Sequence, residues 1–168
     1  MHFSVTNIHQ RVLRSDLPAA GLLVNHLGSK NDKLWPVRLW PSMKFDRELQ
    51  VGAQGGHGPI RYFAEAMEPG RSVTFRFTGP KGFNGIHKFF INELEPGLVK
   101  LEHRIEMKVK GIAIFTWPLI FRPLHDALLE DALDRAESYI SGTQINKRKY
   151  SLRVRFLRWI GSRKKTVN

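Results

Sequence analysis

The sequence has no cysteine, which removes thiol nucleophiles, thiolate metal sites and disulfide frameworks from consideration. It also lacks a long apolar run. The most apolar stretch, Gly111 to Phe121, is about half of the roughly 20 residues that a bilayer-spanning helix needs. Acidic side chains are scarce and unevenly placed. Residues 138–168 hold nine Lys or Arg (Lys147, Arg148, Lys149, Arg153, Arg155, Arg158, Arg163, Lys164, Lys165) and no Asp or Glu, which leaves 18 basic against 15 acidic residues in 1–137. The formal charge of +12 is therefore a property of the tail, not of a body built for nucleic acid. Motifs are missing too. The stretch Gly52-Ala53-Gln54-Gly55-Gly56-His57-Gly58 has no Gly-Lys-Ser/Thr ending and would join two strands, so it reads as a flexible hairpin or pocket lip. No Gly-x-Ser-x-Gly elbow occurs. His57 alone makes no metal site, and no paired His or His-plus-carboxylate spacing is present to build one, so neither a metal nor a cofactor is expected. Met1-His2-Phe3-Ser4-Val5 enters alternation directly, without the basic opening and apolar run of a signal peptide. A cytoplasmic location is expected, with contact at a membrane periphery left open.

What is present is periodicity. The 168 residues suit one core, since single domains commonly hold roughly 100–200 residues. Residues 2–13 alternate, and Ser15-Asp16 before Leu17-Pro18-Ala19-Ala20 predicts a helix start. Leu17, Gly21, Val24 and Leu27 carry that helix to a stop near Gly28, and a second short helix is predicted from Asn31 to about Leu34, before Trp35-Pro36. From Met43 onward the period becomes two, predicting strands over Met43–Val51, Ile60–Met67, Val73–Thr78, Ile86–Leu94 and Val99–Val109. Such alternation means antiparallel strands with one dry face. Glu68-Pro69-Gly70 and Glu95-Pro96-Gly97 supply Pro for the first corner of a tight turn and Gly for a positive φ at the second. A further strand is expected from Ile112 to Thr116, separated by Gly111. Leu124, Leu128, Leu129, Ala132, Leu133, Ala136 and Ile140 then make one stripe against Asp126, Glu130, Asp131, Asp134 and Glu137, predicting a long helix over Phe121–Gly142.

The order is strand, two short helices, a run of antiparallel strands and a long final helix, an α+β pattern. Within it stand His87-Lys88-Phe89-Phe90-Ile91 followed by Glu95-Pro96-Gly97, and Trp117-Pro118 leading into Pro123-Leu124-His125-Asp126-Ala127-Leu128. These resemble the H-x-F-x-I strand, the P-G turn and the start of the closing helix of the SRPBCC superfamily, the relatives of START lipid-transfer domains, birch-pollen-type allergens and bacterial polyketide cyclases. The resemblance covers residues 2–141. It implies a helix-grip fold, a six- or seven-stranded curved antiparallel sheet wrapped around a long C-terminal helix. Residues 1–142 would form the ligand-binding domain and 143–168 a basic extension. It also implies a cavity between sheet and helix; some members catalyse cyclisation or dehydration there, and many only carry ligand.

By alternation, Phe45, Arg47, Tyr62, Phe75, Phe77, His87, Phe89, Ile91, Leu101, His103, Ile105 and Met107 share the dry face, with Trp117, Phe121, Leu124 and Leu128 as a helical lid. Polar groups buried without partners cost about 1–3 kcal/mol, so Arg47, Tyr62, His87 and His103 on such a face imply mutual pairing, water or a ligand. The leading expectation is binding or carriage of a hydrophobic small molecule such as a lipid, isoprenoid or polyketide-like compound. A cofactor-independent cyclase or aromatase is the alternative, with His87 and His103 as acid and base, Arg47 stabilising an enolate and Tyr62 donating a proton. The tail gives a third. Tyr150, Leu152, Val154, Phe156, Leu157, Trp159 and Ile160 interleave with the basic residues, which suits docking on an anionic membrane surface or on RNA through residues 147–165. A solvated extension, a strand or a packing arm fits the same residues.

Overall fold

Strands β1 (His2–Arg14), β2 (Lys44–Phe45), β3 (Gln54–His57), β4 (Ile60–Glu68), β5 (Ser72–Gly79), β6 (Phe83–Glu95) and β7 (Leu98–Lys110) form one antiparallel sheet in the order β1-β7-β6-β5-β4-β3-β2. The computed structural model describes residues 2–145 and 148–163. Lys147, Lys164 and Lys165 of the basic tail lie outside the described residues. Tight turns at Pro69-Gly70 and Pro96-Gly97 join β4 to β5 and β6 to β7, with φ of 73° and 81° at the glycines. The sheet closes over a long helical segment, so the α+β helix-grip architecture is the observed one.

Helix α1 (Leu17–Asn25) starts where Asp16 accepts a hydrogen bond from the Ala19 N–H at 2.8 Å, satisfying a donor that the first turn leaves free. The closing segment runs through a short α2 (Ala113–Thr116), a π-helical turn (Trp117–Phe121) and α3 (Arg122–Ser141), and ends at Gly142. Leu128, Leu129, Ala132, Leu133 and Ala136 of α3 bury against Leu13, Val73, Phe75, Phe89, Ile91 and Leu101 of the sheet. Each fully buried aliphatic or aromatic side chain contributes about 1.5–3 kcal/mol.

Three expected elements differ. Met43–Val51 is not one strand: pairing stops after Phe45, where the Asp46 carboxylate accepts from the Gln54 N–H at 3.0 Å and the chain bends. The missing strand is β3, inside the stretch read as a flexible lip. There a Cβ on Gly55 or Gly56 would meet the carbonyls of Lys44 and Ile60 at 2.2 and 2.0 Å, so only glycine allows β2 and the β4 start to approach this closely. Asn31–Leu34 is a turn and not a helix, because buried Asp32 accepts from the N–H groups of Gly28, Leu34 and Trp35 at 2.7–2.8 Å. The expected strand from Ile112 to Thr116 is instead a short helix, Ala113–Thr116, entered from a turn at Ile112.

Beyond Gly142 the chain folds back. Arg148 pairs with Asp134 at 2.7 Å, and α4 (Leu152–Arg163) follows. Val154 joins the core, and Arg158 donates to the Leu39 carbonyl at 2.9 Å while lying over the rings of Trp40 and Tyr150. Arg153 donates to the carbonyls of Pro118 and Leu119 at 3.0 and 2.9 Å. Those carbonyls sit four to five residues before Pro123, which has no N–H to offer them. The guanidinium thus supplies the donors that proline withholds, and ties the tail to the π turn.

Candidate ligand site

Cross-strand register decides which inward residues meet. Tyr62 stands opposite Phe77, Phe75 opposite His87 and Phe89 opposite His103. The outcome is a row of rings through the grip. His57 Nδ1 lies 3.0 Å from the Tyr62 hydroxyl, and the Tyr62 ring meets His87 edge-on at 4.7 Å between centroids. His87 stacks on Phe75 and Phe77 at 5.0 and 4.9 Å, and its Nδ1 is 3.3 Å from His103 Nε2. His103 leans on Phe89 at 4.5 Å and on His125 at 5.1 Å. Beyond His125 comes His9, held by Asp126 at 3.1 Å and Glu130 at 2.9 Å.

Burial sets the charge states along this row. It drives His87 and His103 well below the ordinary imidazole value, and neighbouring histidines push the same way. His57 is lowered to about 3, mainly by burial, with His125 and the Arg61 guanidinium pushing the same way; burial lowers His125 as well and pushes the Tyr62 hydroxyl up. The row is therefore neutral at pH 7 up to its far end. There burial opposes the charge on His9, yet the hydrogen bonds of Asp126 and Glu130 overcome it and raise the imidazole.

The neutral His87–His103 pair has a property independent of tautomer. One ring donates and the other accepts across the 3.3 Å contact, so of the two outer nitrogens one must carry a proton and the other a lone pair. Those atoms, His87 Nε2 and His103 Nδ1, are buried without partners. A buried donor or acceptor left bare costs about 1–3 kcal/mol. The pair offers one donor and one acceptor to whatever reaches it.

An open cleft of about 630 Å³ lies at the β2–β4 end, lined by Pro41, Lys44, Phe45, Asp46, Gln54, His57, Arg61, Tyr62 and Thr78. The middle is occupied by the stacked rings themselves, with Phe75, Phe89 and Tyr62 buried. His57 and Tyr62 join the cleft to the row.

Of the residues expected inside, Tyr62, Phe75, His87, Phe89, Ile91, Leu101, His103, Ile105, Met107, Trp117 and Leu128 are buried, and Phe45, Phe77, Phe121 and Leu124 partly so. Arg47 is not on this face. It follows the point where pairing ends, lies exposed, and forms an ion pair with Asp46 at 2.7 Å. Trp117 and Phe121 do not lid the cleft; they pack edge-on against Phe83 with Val5, Ile105 and Met107 in a second core cluster. His9, His125, Lys44 and Arg61 were not singled out by sequence reasoning, and His57 was weighed there only as a metal ligand. Period two in residues 2–13 already placed His9 with Asn7 and Arg11 on one face; their partners on α3 could not be named without the fold.

No protein-family model matches the chain, and neither does any protein of curated function. Solved structures do. CalU16 of Micromonospora echinospora superposes with a TM-score of 0.58 at 14% identity, over 98% of this chain and 88% of that one. A protein of Nitrosospira multiformis gives 0.61 at 13%, over 82% and 98%. A norcoclaurine synthase variant of Thalictrum, in complex with a transition-state analogue, gives 0.58 at 10%, over 84% and 97%. At these identities the likeness establishes the helix-grip fold and leaves the ligand to the site.

Proposed function

We propose that the protein binds a small molecule with an apolar body and a polar group, entering at the β2–β4 cleft and engaging the histidine row. The observation carrying this reading is the His87–His103 pair, buried among aromatic rings with one unmet donor and one unmet acceptor. The cleft of about 630 Å³ falls in the range of small-molecule sites, roughly 300–1,000 Å³. Phe45 and Tyr62 give it apolar walls, and His57, Lys44 and Arg61 a polar rim. A lipid, isoprenoid or polyketide-like compound fits this mixture. Mass spectrometry of the purified protein and a thermal-shift screen of lipophilic compounds test it. A retained compound, or a ligand that raises Tm in the wild type and less in Tyr62→Phe, supports the reading; no retained compound and no shift across the screen removes it.

The fold is shared with norcoclaurine synthase, an enzyme, and a neutral imidazole pair offering a proton beside a lone pair suits bifunctional acid–base chemistry. The cyclase alternative therefore rests on His87, His103 and Tyr62 and no longer on Arg47. His87→Gln and His103→Gln assayed on any bound compound separate the readings: a carrier loses affinity, whereas a catalyst loses turnover.

A second reading concerns the tail. Among the described residues no helix is long and apolar enough to cross a membrane. Yet Leu152, Phe156, Trp159 and Ile160 of α4 are exposed, as are Ile112, Phe115, Leu119 and Ile120 on the segment that Arg153 holds against it. Exposed Lys149 and Arg155 accompany them. Apolar residues with a cationic surround match the boundary of an anionic bilayer, each Lys or Arg adding about 1 kcal/mol. Co-sedimentation with phosphatidylserine-containing vesicles, lost in high salt and in Phe156→Ser/Trp159→Ser, is the expected result. Sedimentation with RNA but not with vesicles would overturn it.

A further inference from the structure

The seam between β1 and α3 carries more chemistry than packing requires. Three β1 side chains on its inward face, Asn7, His9 and Arg11, meet the acidic row of α3. Most of that seam is ordinary ion pairing: Arg11 binds Asp134 at 2.9 Å, Glu130 at 3.3 Å and also Glu137. At its upper end the pairing is incomplete. The Asp126 Oδ1 atom is 3.1 Å from His9 Nε2 and 3.7 Å from His125 Nδ1, too far in the second case for a hydrogen bond. His125 Nδ1 and the Asn7 side-chain oxygen Oδ1 are buried and have no hydrogen-bond partner.

We propose that His9, His125 and Asp126 form a binding site for a divalent transition metal of the zinc class, pinning β1 to α3. One donor atom from each residue lies within 4.8 Å of the others. Zinc bonds of about 2.0–2.1 Å at tetrahedral angles place ligand atoms about 3.3 Å apart, a value bracketed by the 3.1 and 3.7 Å separations at Asp126. The surroundings match what such a site needs. A metal-bound imidazole characteristically donates its other N–H to a carboxylate. His9 has Glu130 Oε1 2.9 Å from its Nδ1, and Glu130 is itself fixed by Arg11 and Arg148. Asp126 is fixed in turn by the Asn7 amide at 2.9 Å. The bare Asn7 side-chain oxygen is an acceptor for a water in the fourth position, and Asn7 also lines a small neighbouring hollow of about 170 Å³. Two imidazoles and one carboxylate favour Zn²⁺, Co²⁺ or Ni²⁺ over Mg²⁺ and Ca²⁺, which require oxygen ligands.

The test uses untagged, chelator-treated full-length protein and Co²⁺ as the probe. One equivalent is expected to bind with visible d–d absorption, to be displaced by Zn²⁺, and Zn²⁺ is expected to raise Tm relative to EDTA. Asp126→Asn and His9→Gln, checked for fold by circular dichroism in EDTA, are each expected to lose at least 10-fold in affinity together with the Tm increment. Glu130→Gln should weaken binding by about 10–100-fold while the ligand set remains. Absence of stoichiometric binding in the wild type overturns the proposal. So does binding unchanged in both Asp126→Asn and His9→Gln, which would place the ion on surface histidines such as His2 or His26.

Discussion

Acidification from pH 7.5 to pH 5 tests the neutrality of the buried row most directly. His87 and His103 are almost fully buried, with relative exposures of 4% and 2%, and burial holds both well below the ordinary imidazole value. For a folded-state pKa that is depressed, the stability contribution is complete above the unfolded-state value, near 6.5, and is lost as pH falls below it. At pH 5 the unfolded chain gains about 2 kcal/mol per histidine by protonation that the folded chain forgoes, so the pair costs about 4 kcal/mol. His57 acts in the same direction, softened by its place at the cleft. His9 acts oppositely: its raised value stabilises the fold most below pH 6.5 and loses that effect as pH rises through its folded value. With His125 also lowered by burial, the depressed rings outnumber the single raised one, and the expected net loss is at least about 2–4 kcal/mol, a large fraction of the 5–15 kcal/mol typical of a domain. Urea melts in EDTA at constant ionic strength, at pH 7.5 and pH 5, measure it. The double variant His87→Gln/His103→Gln keeps polar groups that do not titrate and should flatten the dependence. A wild-type stability unchanged between the two pH values, or an equal loss in the double variant, would refute the assignment of a neutral buried pair.

Other outcomes follow from single contacts. Leu128→Ala deletes a buried side chain between α3 and the sheet and should cost about 2–5 kcal/mol in urea unfolding. Trp40→Phe removes the 2.6 Å indole hydrogen bond to buried Asp131, which the Tyr150 hydroxyl also reaches; a loss of about 1–3 kcal/mol is expected by thermal or urea melts. Arg153→Ala leaves the Pro118 and Leu119 carbonyls without their guanidinium partner, so limited trypsin digestion should cut within residues 148–160 faster than in the wild type. Arg47→Ala, which removes an exposed ion pair with Asp46, should leave the urea-unfolding midpoint unchanged within error and the affinity of any cleft ligand unaltered.

The inward face of β4 to β7 was legible because alternation there is long and regular, and a period of two cannot be read in the wrong register without exposing every Phe and Ile at once. The α3 stripe and its stop at Gly142 were legible for the same kind of reason. The segment from Met43 to Gly58 was not. Its alternation continues past Phe45, but local bonds from Asp46 end the strand, and the glycines of β3 leave no side-chain pattern to detect. Arg47 was misplaced by that same error in strand length.

By itself the sequence determined which side of each strand and helix is dry, since burial follows from residue type and spacing within a dozen neighbours. It also set the concentration of charge in the tail. Only the tertiary structure decided which polar groups on those dry faces meet. His9 reaches Asp126 and Glu130 across 117 and 121 positions of chain, and Arg153 reaches Leu119 across 34. No local period encodes such pairs, because they are fixed by strand order and helix placement, and the energy that selects those comes from the whole core at once.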